Sequence, residues 1–139
     1  KMISVIAPAF NEEQIIIKFH ERLCGVLQKL SDDFLCEINF IDDGSADNTL
    51  NLMRDIKKTS KFDVNIYSLR FNEGLERAID VGLSISKGDF EVIRILLNSR
   101  VTVKVITKIK ISLEINIVSK LGKNNSIIAT NSGKVKPYK

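Results

Sequence analysis

Two short stretches hold the residues best suited to chemistry. The first reads Val5-Ile6-Ala7-Pro8-Ala9-Phe10-Asn11-Glu12-Glu13, and the second, about thirty residues on, reads Phe40-Ile41-Asp42-Asp43-Gly44-Ser45-Ala46-Asp47-Asn48-Thr49. An ionised carboxylate accepts hydrogen bonds and cannot donate them, so Asp43, or Asp42 beside it, can take an N–H edge, and Glu12 can accept a hydroxyl. Phe10 offers a flat apolar surface, and Pro8 stiffens the backbone that leads to it. Gly44 lets the chain turn tightly, while Ser45 and Asp47 suit loop shaping and helix capping. Each stretch alone has a plain structural reading, because Asn-Glu-Glu also starts helices and Asp-Gly-Ser also makes turns. Their ordered pairing is what points to a binding site.

Other reactive side chains carry less. Cys24 and Cys36 lack metal-ligand spacing and read as reduced core residues. His20, the single histidine, falls on an expected helix among charged residues and reads as solvated.

The elements that must position the two stretches follow from hydrophobic spacing. Residues 3–7 form a β-branched apolar run ending at Pro8, which predicts a buried strand. Asn11 is placed to cap the next segment, with Glu12 and Glu13 at its positive end. Ile16, Phe19, Leu23, Val26, Leu27 and Leu30 then recur every three or four residues, as on an amphipathic helix. Residues 34–41 predict a second strand, and Asp47 is placed to cap a helix carrying Leu50, Met53 and Ile56. Residues 64–69 predict a third strand, 75–86 a third helix and 90–97 a fourth strand. Beyond that, Val101, Val103 and Val105 alternate like a strand, Ile106, Ile109 and Leu113 are spaced like a helix, and 115–118 fit one more strand. Strands alternating with helices imply βαβ units, a parallel sheet and right-handed crossovers. Ligands of such sheets sit at the carboxyl ends of the strands. Those ends carry residues 8–12, 42–47, 70–74 and whatever follows Ile95, so both stretches fall on one edge.

The chain has 139 residues, 44% hydrophobic and 27% charged, which fits one globular domain over 1–120 followed by a basic, flexible tail over 121–139. No apolar run approaches the roughly 18–20 residues that span a bilayer. The net charge of +4 is unevenly spread: residues 1–94 hold 12 Lys/Arg against 16 Asp/Glu, and residues 95–139 hold 9 against Glu114 alone. The basic end has one aromatic residue, Tyr138, so a base-stacking platform for nucleic acid is not expected. No Gly-x-Gly-x-x-Gly or P-loop follows the first strand, which argues against dinucleotide and triphosphate binders.

Taken together, the two stretches resemble family 2 glycosyltransferases of the GT-A type, in particular their polyprenyl-phosphate branch, the dolichol-phosphate mannose synthases and bactoprenol glucosyltransferases. The resemblance implies an α/β fold: a Rossmann-like GT-A domain, mostly parallel, flanked by helices and truncated here. It assigns base and ribose binding to Pro8, Phe10, Glu12 and Asp43, and draws Asn11, Asp42 and Gly44 into the same site. A third segment agrees in part: Asn72, Gly74, Ala78, Gly82, Gly88 and Asp89 match the family pattern, with Gly82 read as a close helix–sheet contact. Phe71 stands where an arginine is usual, with Arg70 one position early. The family uses Mg²⁺ or Mn²⁺ held by an Asp-x-Asp motif at the fourth strand end. Here Leu96 and Asn98 occupy those positions, an apolar side chain and a neutral amide, so metal binding of the family type is not expected. The family's catalytic aspartate comes later in its chains than residue 139.

By this resemblance the chain binds a UDP- or GDP-linked sugar for transfer to an acceptor such as a polyprenyl phosphate, in a cytoplasmic setting at the inner face of a membrane and in service of cell-envelope polysaccharide. With Asp-x-Asp and the general base both missing, little or no turnover is expected. The rival reading is a non-catalytic module, derived from a glycosyltransferase, that binds nucleotide or a partner protein.

Overall fold

A computed structural model describes residues 1–95 and 102–104. In chain order the elements are β1 (Met2–Ala9), α1 (Ile16–Gln28), β2 (Leu35–Asp42), α2 (Thr49–Thr59), β3 (Asp63–Ser68), α3 (Leu75–Ile85), β4 (Phe90–Ile95) and β5 (Thr102–Lys104). They build one sheet in the order β3-β2-β1-β4-β5. The first four strands are parallel, and β5 runs antiparallel to β4. Four of the expected strands and all three expected helices up to residue 95 are present. Of the expected Val101–Val105 strand, Thr102–Lys104 form the short β5, whereas the helix expected from Ile106 to Leu113, the strand at 115–118, and the tail at 121–139 lie outside the described residues.

The strand order dictates where a ligand can sit. The chain moves outward from β1 to β2 to β3, then returns to the opposite side of β1 for β4. This reversal sends α1 and α2 to one face and α3 to the other, and it falls between β1 and β4, whose carboxyl ends are where ligands of such sheets bind. The two faces are packed differently. Phe19, Leu23 and Leu27 of α1 and Met53 and Ile56 of α2 close over Ile3, Val5, Ala7, Ile38 and Phe40. On the other face, Ala78 of α3 packs with Ile6, Ile41 and Ile93. A Cβ on Gly82 would stand 2.3 Å from Ile6 Cγ2, so glycine there lets α3 lie directly on the sheet, as the sequence suggests.

Below α3 the same face turns polar. The buried carboxylate of Glu37 accepts hydrogen bonds from Ser4 Oγ, from Asn39 Nδ2 at 3.1 Å and from the Lys87 amide at 3.4 Å on one oxygen, and from Asn65 Nδ2 at 3.4 Å on the other. Asn65 also donates to Asn39 Oδ1 at 3.1 Å, and the Gly88 amide donates to Ser4 Oγ at 2.8 Å. A polar group so far from water is tolerated because donors surround it.

Three local expectations change. β1 runs on through Pro8 and Ala9, paired with Ile41 and Asp42. Among the described residues the β1–β4 pairing runs to Ile6↔Ile93, so Pro8, which has no N–H to give, lies beyond its last pair. Asn11 does not cap α1, whose N-cap position is Ile15. His20 is not solvated: it is half-buried, with Nε2 3.0 Å from Ser60 Oγ and 3.2 Å from Cys24 Sγ. Burial holds its pKa below the usual histidine value despite the opposing charge of Glu21. Both cysteines are free, as expected, and half-buried, with Cys36 packed against the main core.

Gly25 is a glycine in the interior of α1. It lies on the exposed side of α1, and a Cβ there meets nothing within 4 Å. Gly25→Ala is expected to stabilise the chain by about 0.5–1 kcal/mol, read as a higher urea midpoint at unchanged m-value.

Candidate functional site

The site is built from three loops at the carboxyl edge: residues 10–15 after β1, 43–48 after β2 and 69–74 after β3. All three positive-φ residues of the described chain fall in them: Asn11 at 52°, Gly44 at 68° and Gly74 at 94°. Backbone of this kind is costly except at glycine and, to a lesser degree, asparagine, so these turns are held by specific contacts.

The first two loops are laced together. Asn11 donates its amide to Ser45 Oγ at 3.0 Å, and its Oδ1 accepts from the Ala46 amide at 2.8 Å and the Asp47 amide at 3.4 Å. Its side chain thus caps the neighbouring loop and not its own helix. Glu12 donates its amide to Thr49 Oγ1 at 2.8 Å, Glu13 donates its amide to Asp47 Oδ2 at 3.2 Å, and Glu13 Oε2 accepts the Asn48 amide at 2.8 Å. Asp47 Oδ1 accepts the Thr49 amide at 2.9 Å just ahead of α2, but the N-cap position is Asn48 and no side chain caps the helix there, so Asp47 ties the loop and does not cap as its position suggests. Burial alone would raise the Asp47 pKa, but the hydrogen bonds from Thr49 and Glu13 outweigh it and hold this carboxyl below its usual range. Burial, helped by the Asp47 charge, pushes Glu12 the other way. Of these two neighbouring acids, Glu12 is therefore the first to take a proton on acidification.

The second and third loops are joined by the acid pair. Asp42 Oδ1 accepts the Ser45 amide at 3.2 Å and Oδ2 accepts Ser68 Oγ at 2.9 Å, while its carbonyl accepts the Leu69 amide at 2.8 Å. Asp43 is 3% exposed, and its two oxygens accept the Glu73 and Gly74 amides at 2.8 and 3.0 Å. Gly44 lies against the third loop so closely that a Cβ would meet Phe71 C at 2.4 Å and Asn72 N at 2.6 Å.

The structure therefore brings together the nine residues singled out from the sequence, in different settings. Pro8, Asp42 and Asp43 are buried, and Glu12, Gly44 and Gly74 are half-buried. Phe10, Asn11 and Asn72 are exposed, Phe10 by 42%. One participant escapes the sequence reading, and another takes part through a contact that reading does not show. Thr49 is fully buried and bridges Glu12 to Asp47. Arg70 places its guanidinium carbon 5.3 Å from the centroid of the Phe71 ring. A serine or threonine two residues after an aspartate is a recognisable hydrogen-bond partner for it. The Arg–Phe stack is visible in sequence only as adjacency. Among the described residues, no group of three or more His, Cys, Asp or Glu side chains could hold a metal ion. Leu96 and Asn98 lie outside the described residues. No helix among the described residues is long and apolar enough to cross a membrane.

A sheet ordered 3-2-1-4, with helices on both faces and polar loops gathered at its carboxyl edge, defines a Rossmann-like α/β protein of the GT-A kind. The sequence profile of glycosyl transferase family 2 matches residues 4–97, and the chain belongs to that family. It is 32% identical over 92 residues, 66% of this chain and 28% of the relative, to the undecaprenyl-phosphate 4-deoxy-4-formamido-L-arabinose transferase of Aeromonas hydrophila subsp. hydrophila. The chain thus spans somewhat over a quarter of that protein's length. Among solved structures it resembles S. aureus TarS in complex with UDP, at a TM-score of 0.53 and 26% identity over 68% of this chain and 27% of that one. It also shares the fold of the mannosyltransferase PcManGT from Pyrobaculum calidifontis in complex with GDP-Man and Mn²⁺, at a TM-score of 0.54 and 21% identity over 67% of this chain and 26% of that one.

Proposed function

We propose that the three-loop edge binds the nucleoside diphosphate part of a UDP- or GDP-linked sugar. Phe10 lines the base, Asp43 accepts its N–H edge, and Glu12 accepts a ribose hydroxyl. Pro8, Asn11, Asp42, Gly44, Asn72 and Gly74 set the loop geometry. The observation that carries this reading is the lacing of loops 10–15, 43–48 and 69–74 into one surface at the carboxyl edge of the sheet. The complexes of TarS with UDP and of PcManGT with GDP-Man support a ligand of this class.

In transfer by this family reading, an acceptor oxygen attacks the anomeric carbon in line, the bond to the diphosphate breaks, and the nucleoside diphosphate leaves with inversion. The undecaprenyl-phosphate relative supports a polyprenyl phosphate as acceptor, and with it placement at the cytoplasmic face of a membrane. The residues of this chain hold and orient the donor. Among the described residues none is assigned the removal of a proton from the acceptor, and Leu96 and Asn98 offer no carboxylate to a divalent cation. These two side chains favour a second reading beside the first, a nucleotide-binding module without turnover. The domain that does the binding is residues 1–120.

Calorimetric titration with UDP and GDP, with and without Mn²⁺, tests the proposal. Binding of at least one nucleotide is expected, with little dependence on Mn²⁺. No measurable binding of either sinks it, and strong metal dependence overturns the reading of Leu96 and Asn98. Hydrolysis or transfer in the same mixtures separates the transferase from the module.

A further inference from the structure

The charge balance of the three edge loops is lopsided. They carry five carboxylates, Glu12, Glu13, Asp43, Asp47 and Glu73, with Asp42 at the adjoining strand end. They carry one cation, Arg70. A diphosphate approaching this edge meets like charge, and the leaving group gains more negative charge as its bond breaks. Leu96 and Asn98 bring none to offset it.

Arg70 is also held in an unusual way. The backbone around it is pinned on both sides: the Leu69 amide donates to the Asp42 carbonyl, and the Glu73 and Gly74 amides donate to Asp43. Between those pins, the close approach of Gly44 fixes the Phe71 backbone. The Phe71 ring is 65% exposed, so it contributes little to the core, and the Arg70 guanidinium lies over its face. The other arginine near this loop, Arg77, is paired with Glu73 at 3.3 Å. An aromatic face holds a guanidinium without neutralising it, leaving its N–H donors for another partner.

We propose that Arg70, positioned by Phe71, is the cation that receives the diphosphate of the nucleotide. This rests on the nucleotide reading above and adds to it which residue carries the charge. Arg70 touches the ligand, and Phe71 is a positioning residue that acts through it. Guanidinium suits the task because it is always charged and can donate two parallel bonds to phosphate oxygens.

The test is calorimetry on the full chain with uridine, UDP, guanosine and GDP. For the native chain, the diphosphate is expected to bind more tightly than its nucleoside. Arg70→Ala and Arg70→Gln are each expected to weaken the diphosphate about tenfold while leaving the nucleoside unchanged. Phe71→Ala is expected to show the same selective loss, and Arg70→Ala/Phe71→Ala to be no weaker than Arg70→Ala. Raising salt reduces the native preference for the diphosphate and leaves that of the variants nearly flat. An equal loss for nucleoside and diphosphate overturns the proposal, as does no loss, or additive losses in the double variant. If native chain binds nucleoside and diphosphate equally, Arg70 has no such role and the nucleotide site still stands. If it binds none of the four, the nucleotide site itself is wrong.

Discussion

Asp43→Ala is expected to abolish nucleotide binding and to lower stability by about 3 kcal/mol. The carboxylate is buried and bonded through both oxygens to the Glu73 and Gly74 amides. Hydrogen bonds to a charged group contribute about 1.5–3 kcal/mol each, and deleting the acceptor leaves two donors in a space that water refills poorly. The 69–74 loop then loses the tie that sets its distance from Gly44, and with it the placement of Phe71 and Arg70. Asp43→Asn separates two roles. It keeps the volume but offers one carbonyl oxygen, so one of the two amide bonds survives and the loss of stability is roughly half. Urea unfolding and nucleotide titration on the same samples read both quantities. A fully stable Asp43→Ala variant contradicts the clamp. A stable Asp43→Asn variant that still fails to bind shows that the carboxylate also meets the ligand.

The framework of this protein was largely legible because its periods are clean. Ile3 to Ala7 is too apolar and β-branched for anything but a buried strand, and the spacing of Ile16, Phe19, Leu23 and Leu27 repeats every helical turn. Alternation of such segments leaves few arrangements other than a parallel sheet, and the polar residues then fall at one edge by geometry alone. What the sequence did not reveal is which way the edge side chains turn. Asn11 has the composition of a helix cap and the position of one, yet its left-handed backbone swings the amide group onto Ala46 and Asp47. His20 has charged neighbours on its own helix, but Ser60 at the end of α2 comes from forty residues away to cover it. Asp42 and Asp43 are adjacent and alike in sequence. They differ because a strand end sends successive side chains to opposite sides, one toward Ser68 and Ser45 and the other toward the third loop. Contacts of this kind depend on distant segments, which local periodicity does not encode.

This division also explains why the two charges of the acid pair serve different ends. Asp42 fixes the end of β2 to the end of β3 and to the first residues of the loops that follow, through Ser68, Ser45 and Leu69. Asp43 reaches across a loop gap, so its bonds decide whether the loop after β3 stands next to the loop after β2. A ligand held between those loops depends on the second tie more than the first.

Gly44→Ala is expected to be among the most damaging single-methyl changes in the chain, costing about 2–5 kcal/mol and removing nucleotide binding with it. Two terms combine. The backbone at φ +68° is left-handed, which costs a non-glycine residue roughly 1–2 kcal/mol. The added Cβ would also stand 2.4 Å from Phe71 C, 2.6 Å from Asn72 N and 2.9 Å from Phe71 O, all backbone atoms. A flexible side-chain tip could move aside, but these atoms are anchored by the bonds of Leu69, Glu73 and Gly74 to the acid pair. Overpacking against backbone that cannot shift adds about 1–3 kcal/mol. Gly74→Ala supplies the control. Its φ of +94° is strained too, but a Cβ there meets nothing within 4 Å, so only the conformational cost applies. Urea midpoints for the two variants should therefore differ, with Gly44→Ala the lower. Equal midpoints would show that the third loop gives way freely, and that the contact between the loops is not what holds the site in shape.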